Sequence, residues 1–324
     1  MARAAALTQA VRLDIAQAAW HVRSHLRSRL LDIHAVQSAM QGLQQEMQTR
    51  AEIVAMLEKR LEVGYASNLD VADARLQLRR VEIAYENEKA RLAEGRAALA
   101  NAVGLPESAI QMERLALHGF NETPAAWPTP EAQRATLQNR LDIRRGLAEY
   151  AAAEADVRLE IARQTPDITL GPTYEWDQGD NRWGLGLSLV LALFHNNDAG
   201  IAEANARRET QAARFYQLQA QVIGQQEQAQ QGLQAALAKL ENARKQLKNH
   251  QSRFAQQQKL FESGQTDRLE LTLARLELHS LEAAVSAALV STQQSLGLLE
   301  EAVQQPLDGS PDFSAGVLPG MEDE

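Results

Sequence analysis

Apolar side chains in the second half of the chain recur at helical spacing. Phe215, Leu218, Val222, Ala229, Leu233, Ala236, Leu240, Ala243, Leu247, Phe254 and Phe261 are separated by three, four or sums of these steps, which predicts a long helix with a coiled-coil-like seam that needs neighbours. The pattern ends at Glu262-Ser263-Gly264, where glycine can close a helix with φ > 0. Asp267 and Glu270 then have capping-box spacing for the next helix. Upstream, Gly64 closes one helix, and Ser67 with Asp70 opens another. Both turns are short, so each helix pair is expected to be antiparallel. At about 1.5 Å per residue, a helix over 200–262 is roughly 90 Å long, and helices over 131–164 and 269–304 are each about half that. Two half-length helices stacked beside a full-length one suit the wall of a tall helical cylinder.

Between these helices the period changes to two. Ile168, Leu170, Tyr174 and Trp176 alternate with Thr169, Gly171, Thr173 and Glu175; Trp183, Leu185, Leu187, Leu189 and Leu191 alternate with Gly184, Gly186 and Ser188. The polar run 177–181 is the expected turn. Each strand is about ten residues, the span of a tilted transmembrane strand. One face is apolar, with Trp176 and Trp183 near the turn as an interfacial girdle requires, and the other is small and polar, as for a water-filled lumen. A lone hairpin has open edges that lipid does not tolerate, so oligomerisation is implied.

The chain repeats itself at an offset of 200 residues. Gly64, Leu69, Ala74-Arg75-Leu76, Leu78, Glu82, Leu99, Ala102-Val103 and Pro106 recur as Gly264, Leu269, Ala274-Arg275-Leu276, Leu278, Glu282, Leu299, Ala302-Val303 and Pro306. Helix register alone would match alanine and leucine, but not also the turn glycine and the terminal proline. The expected organisation is a first repeat over 1–120, a proline-rich linker over 121–130, a second repeat over 131–305 with its hairpin at 166–193, and an acidic tail over 306–324.

Composition narrows the function. Of 324 residues, 45% are hydrophobic but only 5% aromatic, as suits long helices packed side by side. A net charge of −9 without a basic cluster argues against nucleic acid as a partner. The absence of cysteine excludes disulfides and thiolate metal sites. No run of about 18 apolar residues is present, so a membrane crossing would be made by β-strands. Met1-Ala2-Arg3 runs straight into the amphipathic pattern without a signal peptide.

These residues resemble the TolC-like outer membrane efflux protein family. The resemblance rests on Gly64-x-x-Ser67-x-Leu69-Asp70-Val71, on Asn139-Arg140-Leu141-Asp142-Ile143, on Pro166-Asp167-Ile168-Thr169-Leu170, and on Phe194-x-x-Asn197 leading into Ile201-Ala202-Glu203-Ala204. Leu141, Val190 and Ala192 stand where the family often has proline. The Trp and Gly texture of the hairpin is closer to the heavy-metal cation branch than to the drug branch. The resemblance implies a mainly α fold in which long antiparallel helical hairpins form part of an α-barrel and one β-hairpin contributes to a trimeric transmembrane β-barrel. It implies a passive exit duct, with the protein as outer-membrane channel subunit of a tripartite efflux pump. The partners implied are two further copies in a homotrimer, a periplasmic adaptor, an inner-membrane pump reached through that adaptor, and outer-membrane lipid. Gly64, Ser67, Leu69 and Asp70 with Gly264, Asp267, Leu269 and Glu270 would form the tips that meet the adaptor. Ile168, Leu170, Tyr174, Trp176, Trp183, Leu185, Leu187 and Leu189 would face lipid. Family members carry a hairpin in each repeat, whereas Arg3 here corresponds to Glu203, so the chain is expected to be truncated, lacking a signal peptide, a first helix and a first hairpin.

The rival reading is a soluble coiled-coil scaffold, which leaves the hairpin unexplained. No nucleophile, base and orienting group converge in a motif, so neither an enzyme nor a cofactor is expected. His21 and His25 lie one helical turn apart but lack a third ligand, and they read as a solvated helix face. Gly184-Leu185-Gly186 lacks the third glycine and the following helix of a dinucleotide fingerprint.

Overall fold

The structure, a computed structural model, describes residues 1–111, 115, 117–123, 140–165, 168–189 and 197–307. The proline-rich segment 124–130, Asn139, Pro166-Asp167, Val190 to Phe194 and the tail from residue 308 lie outside the described residues. Element order is α1 (Ala2–Glu62), α2 (Asn68–Val103), α3 (Leu141–Ala162), β1 (Ile168–Asp177), β2 (Asp180–Leu189), α4 (Asp198–Glu262) and α5 (Arg268–Val303), with short 3₁₀ turns at Glu107–Ala109 and Leu117–Asn121. The 200-residue repeat is visible at residue level: α1 and α4 end at Glu62 and Glu262, while α2 and α5 run from Asn68 and Arg268 to Val103 and Val303. The helix expected over 131–164 is found over Leu141–Ala162. Arg140 is extended at φ −58°, ψ 135°, so helical backbone does not pass through it, and residues 131–139 lie outside the described residues.

The described residues divide into two compact units, one drawn from Met1–Ala18 and Glu131–Ile223, the other from Ala19–Pro130 and Gly224–Phe313. In the first unit α3 lies against the start of α1 through Arg3–Asp156 at 3.4 Å and Arg145–Asp14 at 2.8 Å. Its Gly146 sits under the Phe215 ring of α4, where an added Cβ would come within 3.0 Å, so the missing side chain is what lets α3 and α4 close up. Leu13, Leu141, Ile143, Ala148, Ala152, Val157 and Ala204 are buried in this unit.

In the second unit α1 meets α2 through Glu58–Arg75 and through Ile33, whose Cγ1 is 3.4 Å from the Cβ position of Gly95. It meets α5 through Thr49 and His279 at 3.1 Å. Beyond α5 lies α4, reached by Thr292 Oγ1 to the Ala236 carbonyl at 3.3 Å and by His250–Glu277 at 3.4 Å. The lateral order is therefore α2, α1, α5, α4. Leu233, Leu296, Leu299 and Val303 form an apolar cluster between α4 and α5. Phe120 of the second 3₁₀ turn stacks obliquely on His34 and lies beneath the Arg27 guanidinium, while Gln293 donates to the Phe120 and Glu122 carbonyls. Burial lowers the His34 pKa.

Candidate membrane hairpin and tip turns

β1 and β2 pair antiparallel with Ile168 opposite Leu189, Leu170 opposite Leu187, Pro172 opposite Leu185 and Tyr174 opposite Trp183. Because strand side chains alternate faces, these pairs occupy one side of the ribbon. Thr169 with Ser188, Gly171 with Gly186, Thr173 with Gly184 and Glu175 with Arg182 occupy the other. Ile168, Leu170, Tyr174, Trp176, Trp183, Leu185 and Leu187 are all exposed, Trp183 to 78%; the Leu189 side chain lies outside the described residues. The ribbon thus has an apolar face whose described side chains are bare from Ile168 to Trp176 and from Trp183 to Leu187, and a polar face built mostly from small residues. A Cβ at Gly184 would sit 2.9 Å from Thr173 Oγ1, so a larger residue there would make the threonine side chain turn aside.

One detail differs from expectation. The turn is tighter than the polar run 177–181: Asp177 pairs with Asp180, leaving Gln178 (φ 47°) and Gly179 (φ 102°) as the two-residue loop. Positive φ at both loop positions matches the right-handed twist of a hairpin, which is why a non-glycine residue is driven there. Trp183 stacks on Tyr174 at 4.7 Å, and Trp176 lies opposite Asn181. Tyr174 donates its hydroxyl proton to Asn181 at 2.8 Å.

Where the ribbon leads back into helix, Asn197 (φ 55°) donates from Nδ2 to the carbonyl and Oε2 of Glu160. This contact, with Arg163 also paired to Glu160, holds the Glu160 carboxyl below the usual range. The lock ties the end of α3 to the start of α4.

The two tips share one backbone. Gly64 and Gly264 have φ 80° and 75°, and Ser67 and Asp267 are extended N-caps with φ −94° each. At the first tip the capping box is complete: Asp70 N–H donates to Ser67 Oγ at 3.1 Å, and Ser67 N–H donates to Asp70 at 2.8 Å. At the second only the forward half forms, Glu270 N–H to Asp267 at 2.8 Å, because Glu270 accepts from the Thr266 hydroxyl instead. Arg60 near the end of α1 pairs with Asp267 at 2.7 Å, joining the two tips. Leu69, Val63 and Tyr65 are exposed at the first tip, whereas Leu269 is half-buried.

Both glycines face open space, so Gly64→Ala or Gly264→Ala tests conformation alone. Each is expected to cost about 1–2 kcal/mol, the left-handed penalty for a residue bearing a Cβ, measured by the urea midpoint. An unchanged midpoint would mean that the turn relaxes out of the left-handed region.

Ser67 N–H and its hydroxyl, donating to Asp70, hold that carboxyl below the usual range. Glu270 N–H and Arg60 do the same for Asp267. A depressed folded-state pKa means that each cap contributes fully above the unfolded carboxylate value of about 3.9. That contribution is lost as pH falls from there through the folded pKa. Protection factors of the Ser67 and Glu270 amides, which donate to the Asp70 and Asp267 carboxylates, are therefore expected to hold at neutral pH and to fall only below about pH 4. Loss of protection near neutrality would exclude the carboxylates as the groups that hold the caps.

His21 Nδ1 lies 3.0 Å from Glu301, and His25 Nε2 accepts from Arg29 Nε at 3.2 Å. A feature that periodicity missed lies nearby. Glu300 is buried against Arg27 Nε at 3.1 Å and Arg23 Nη1 at 3.6 Å. Its other oxygen accepts the Leu307 N–H at 2.8 Å, and Trp20 Nε1 donates to the adjacent Glu301 at 3.1 Å. The signal was a break in the repeat: Ala100, Ile223 and Glu227 stand where Glu300, Arg23 and Arg27 do.

Among known proteins, the model of the outer membrane efflux protein family matches residues 133–303. The chain is similar in fold to the Neisseria gonorrhoeae MtrE outer membrane channel in its open state, with TM-score 0.75 and 18% identity, covering 93% of this chain and 71% of that one. The outer membrane protein VceC of Vibrio cholerae gives TM-score 0.73 at 18% identity, covering 93% and 74%. The Campylobacter jejuni CmeC outer membrane channel gives 0.69 at 14%, covering 96% and 67%. No curated protein matches the sequence. With the family model spanning more than half of the chain and ending at the last residue of α5, the chain belongs to the outer membrane efflux protein family, the TolC-like outer membrane factors.

Proposed function

We propose that this chain is the outer-membrane channel subunit of a tripartite efflux pump, a passive duct crossing the outer membrane and extending into the periplasm. The observation that carries this reading is the two-faced hairpin, whose apolar row is bare over the length of a membrane-spanning strand. Its open edges must be paired in lipid, which hairpins of neighbouring copies in a trimer, together with the second hairpin that the resemblance implies for each, would do. The apolar row from Ile168 to Trp176 and from Trp183 to Leu189 then faces lipid, and the Thr, Gly and Ser row faces the lumen. The tip turns face a periplasmic adaptor, which links the duct to an inner-membrane pump. Exposed Val63, Tyr65 and Leu69 give the first tip an apolar surface suited to such a contact.

Purified chain added to a planar lipid bilayer is expected to give stepwise ohmic conductance. Protein that enters the bilayer, as judged by co-flotation with vesicles, yet never conducts would overturn the duct and return the helices to a scaffold role.

A further inference from the structure

The second unit holds a groove of about 780 Å³ whose floor is α1 between residues 35 and 46, with α2 as one wall and α5 as the other. That volume falls in the range of small-ligand clefts. Ala35, Ser38, Ala39 and Gly42 make much of the floor, and their short side chains let a guest lie close to the helix backbone. Ala84 of α2 with Ala283, Ala287 and Val290 of α5 give the walls an apolar surface. From 35 to 46 the floor runs about 16 Å at about 1.5 Å per residue, a shape suited to one elongated body.

Three acids line the groove, and two of them are matched by arginine. Glu46 is paired with Arg50 at 2.7 Å, and Glu88 with Arg91 at 2.7 Å. Among the described residues Glu282 meets neither a lysine nor an arginine; it faces His279 Nδ1 at 3.3 Å. His279 is held from its other side, with Nε2 3.1 Å from the Thr49 hydroxyl. An uncharged imidazole donating from Nδ1 orients the carboxylate and leaves its charge in place. Since α5 runs antiparallel to α1, with His279 level with Thr49 and Gln293 with Arg27, Glu282 marks the end of the groove near Glu46.

We infer that this groove binds an elongated organic cation, a primary ammonium on an apolar body, with the ammonium on the Glu282 carboxylate and the body along the small-residue floor. The ammonium supplies donors and the positive charge that Glu282 lacks. An amine-bearing phospholipid does not fit, because its phosphate would lie beside Glu46 and Glu282, with Arg50 already held by Glu46. The groove lies wholly within the second unit, so the inference stands apart from whether the chain conducts.

The probe is dansylcadaverine, an apolar fluorescent ring joined by a short alkyl chain to a primary amine, with its N-acetyl form as the neutral analogue. The full chain in phosphatidylcholine nanodiscs is titrated with each, and the signal of empty discs is subtracted. The amine is expected to saturate and to bind at least about tenfold more tightly than the acetyl form, as for hydrogen bonds to a charged group. Glu282→Gln is expected to erase that preference. Ala283→Phe, which fills the groove from an exposed position, is expected to abolish saturable binding of both probes. Far-ultraviolet circular dichroism and the urea midpoint check that each variant folds. Equal affinity of the wild-type chain for the two probes, or no saturable signal from it, overturns the inference whatever the variants do. A preference that survives Glu282→Gln, or binding that survives Ala283→Phe, also overturns it. A chain that conducts in the bilayer yet fails these tests loses the groove and keeps the duct.

Discussion

Replacing Glu300 by alanine is expected to destabilise the fold by about 3–5 kcal/mol, the cost of removing one partner from a buried charge network. Its side chain is 2% exposed, and those of Arg23 and Arg27 are 18% and 12% exposed. Taking away the carboxylate strands two poorly hydrated guanidinium groups and frees the Leu307 N–H. Arg27 keeps the Gln293 carbonyl and the Phe120 ring, and Arg23 keeps the Trp20 ring, which places the expectation at the lower end of that range. Urea unfolding of the full chain, followed by far-ultraviolet circular dichroism, measures it. A loss under about 1 kcal/mol would put the network in the class of exposed ion pairs. Replacing all three charges with apolar residues of similar volume is expected to restore much of the stability, because the desolvation cost disappears with the charges.

With the apolar row facing lipid as proposed, Leu187→Arg is expected to weaken the membrane-inserted assembly by at most the about 2–4 kcal/mol that arginine costs on a lipid face at the bilayer midplane. Leu187 lies opposite Leu170 on the apolar row. The adjacent Ser188 lies opposite Thr169 on the polar row, so Ser188→Arg places the same charge toward water and is expected to leave the assembly intact. Comparing the temperatures at which the two variants dissociate in detergent isolates the face from the residue. Equal behaviour would show that the ribbon does not separate lipid from lumen.

Much of this architecture is legible locally. Gly64 with Ser67 and Asp70 announces a turn and cap that need no distant partner, and the strand alternation gives both faces of the ribbon, but not its register, which the two-residue loop sets one residue away from the pairing the polar run 177–181 predicts. What hides from a one-dimensional reading is decided across the chain. Arg23 and Arg27 lie more than 270 residues from Glu300, and only packing brings them together. The start of α3 is hidden for a different reason: Arg140 pairs with Asp142 at 2.6 Å and takes an extended backbone, though arginine is by propensity a good helix former. The tight turn was masked by its own composition, since Asp177, Asp180 and Asn181 look like loop residues but lie in the strands.

The equal length of α2 and α5, 36 residues each, acts as a ruler. Both helices begin three residues after their tip glycine's neighbour and end at a left-handed residue, Gly104 or Gln304. Inserting one heptad into a single hairpin would lengthen it by about 10 Å, leaving one tip proud of the other. A partner that seats both tips at once would then lose one of them, so a viable change of length has to enter the two halves together.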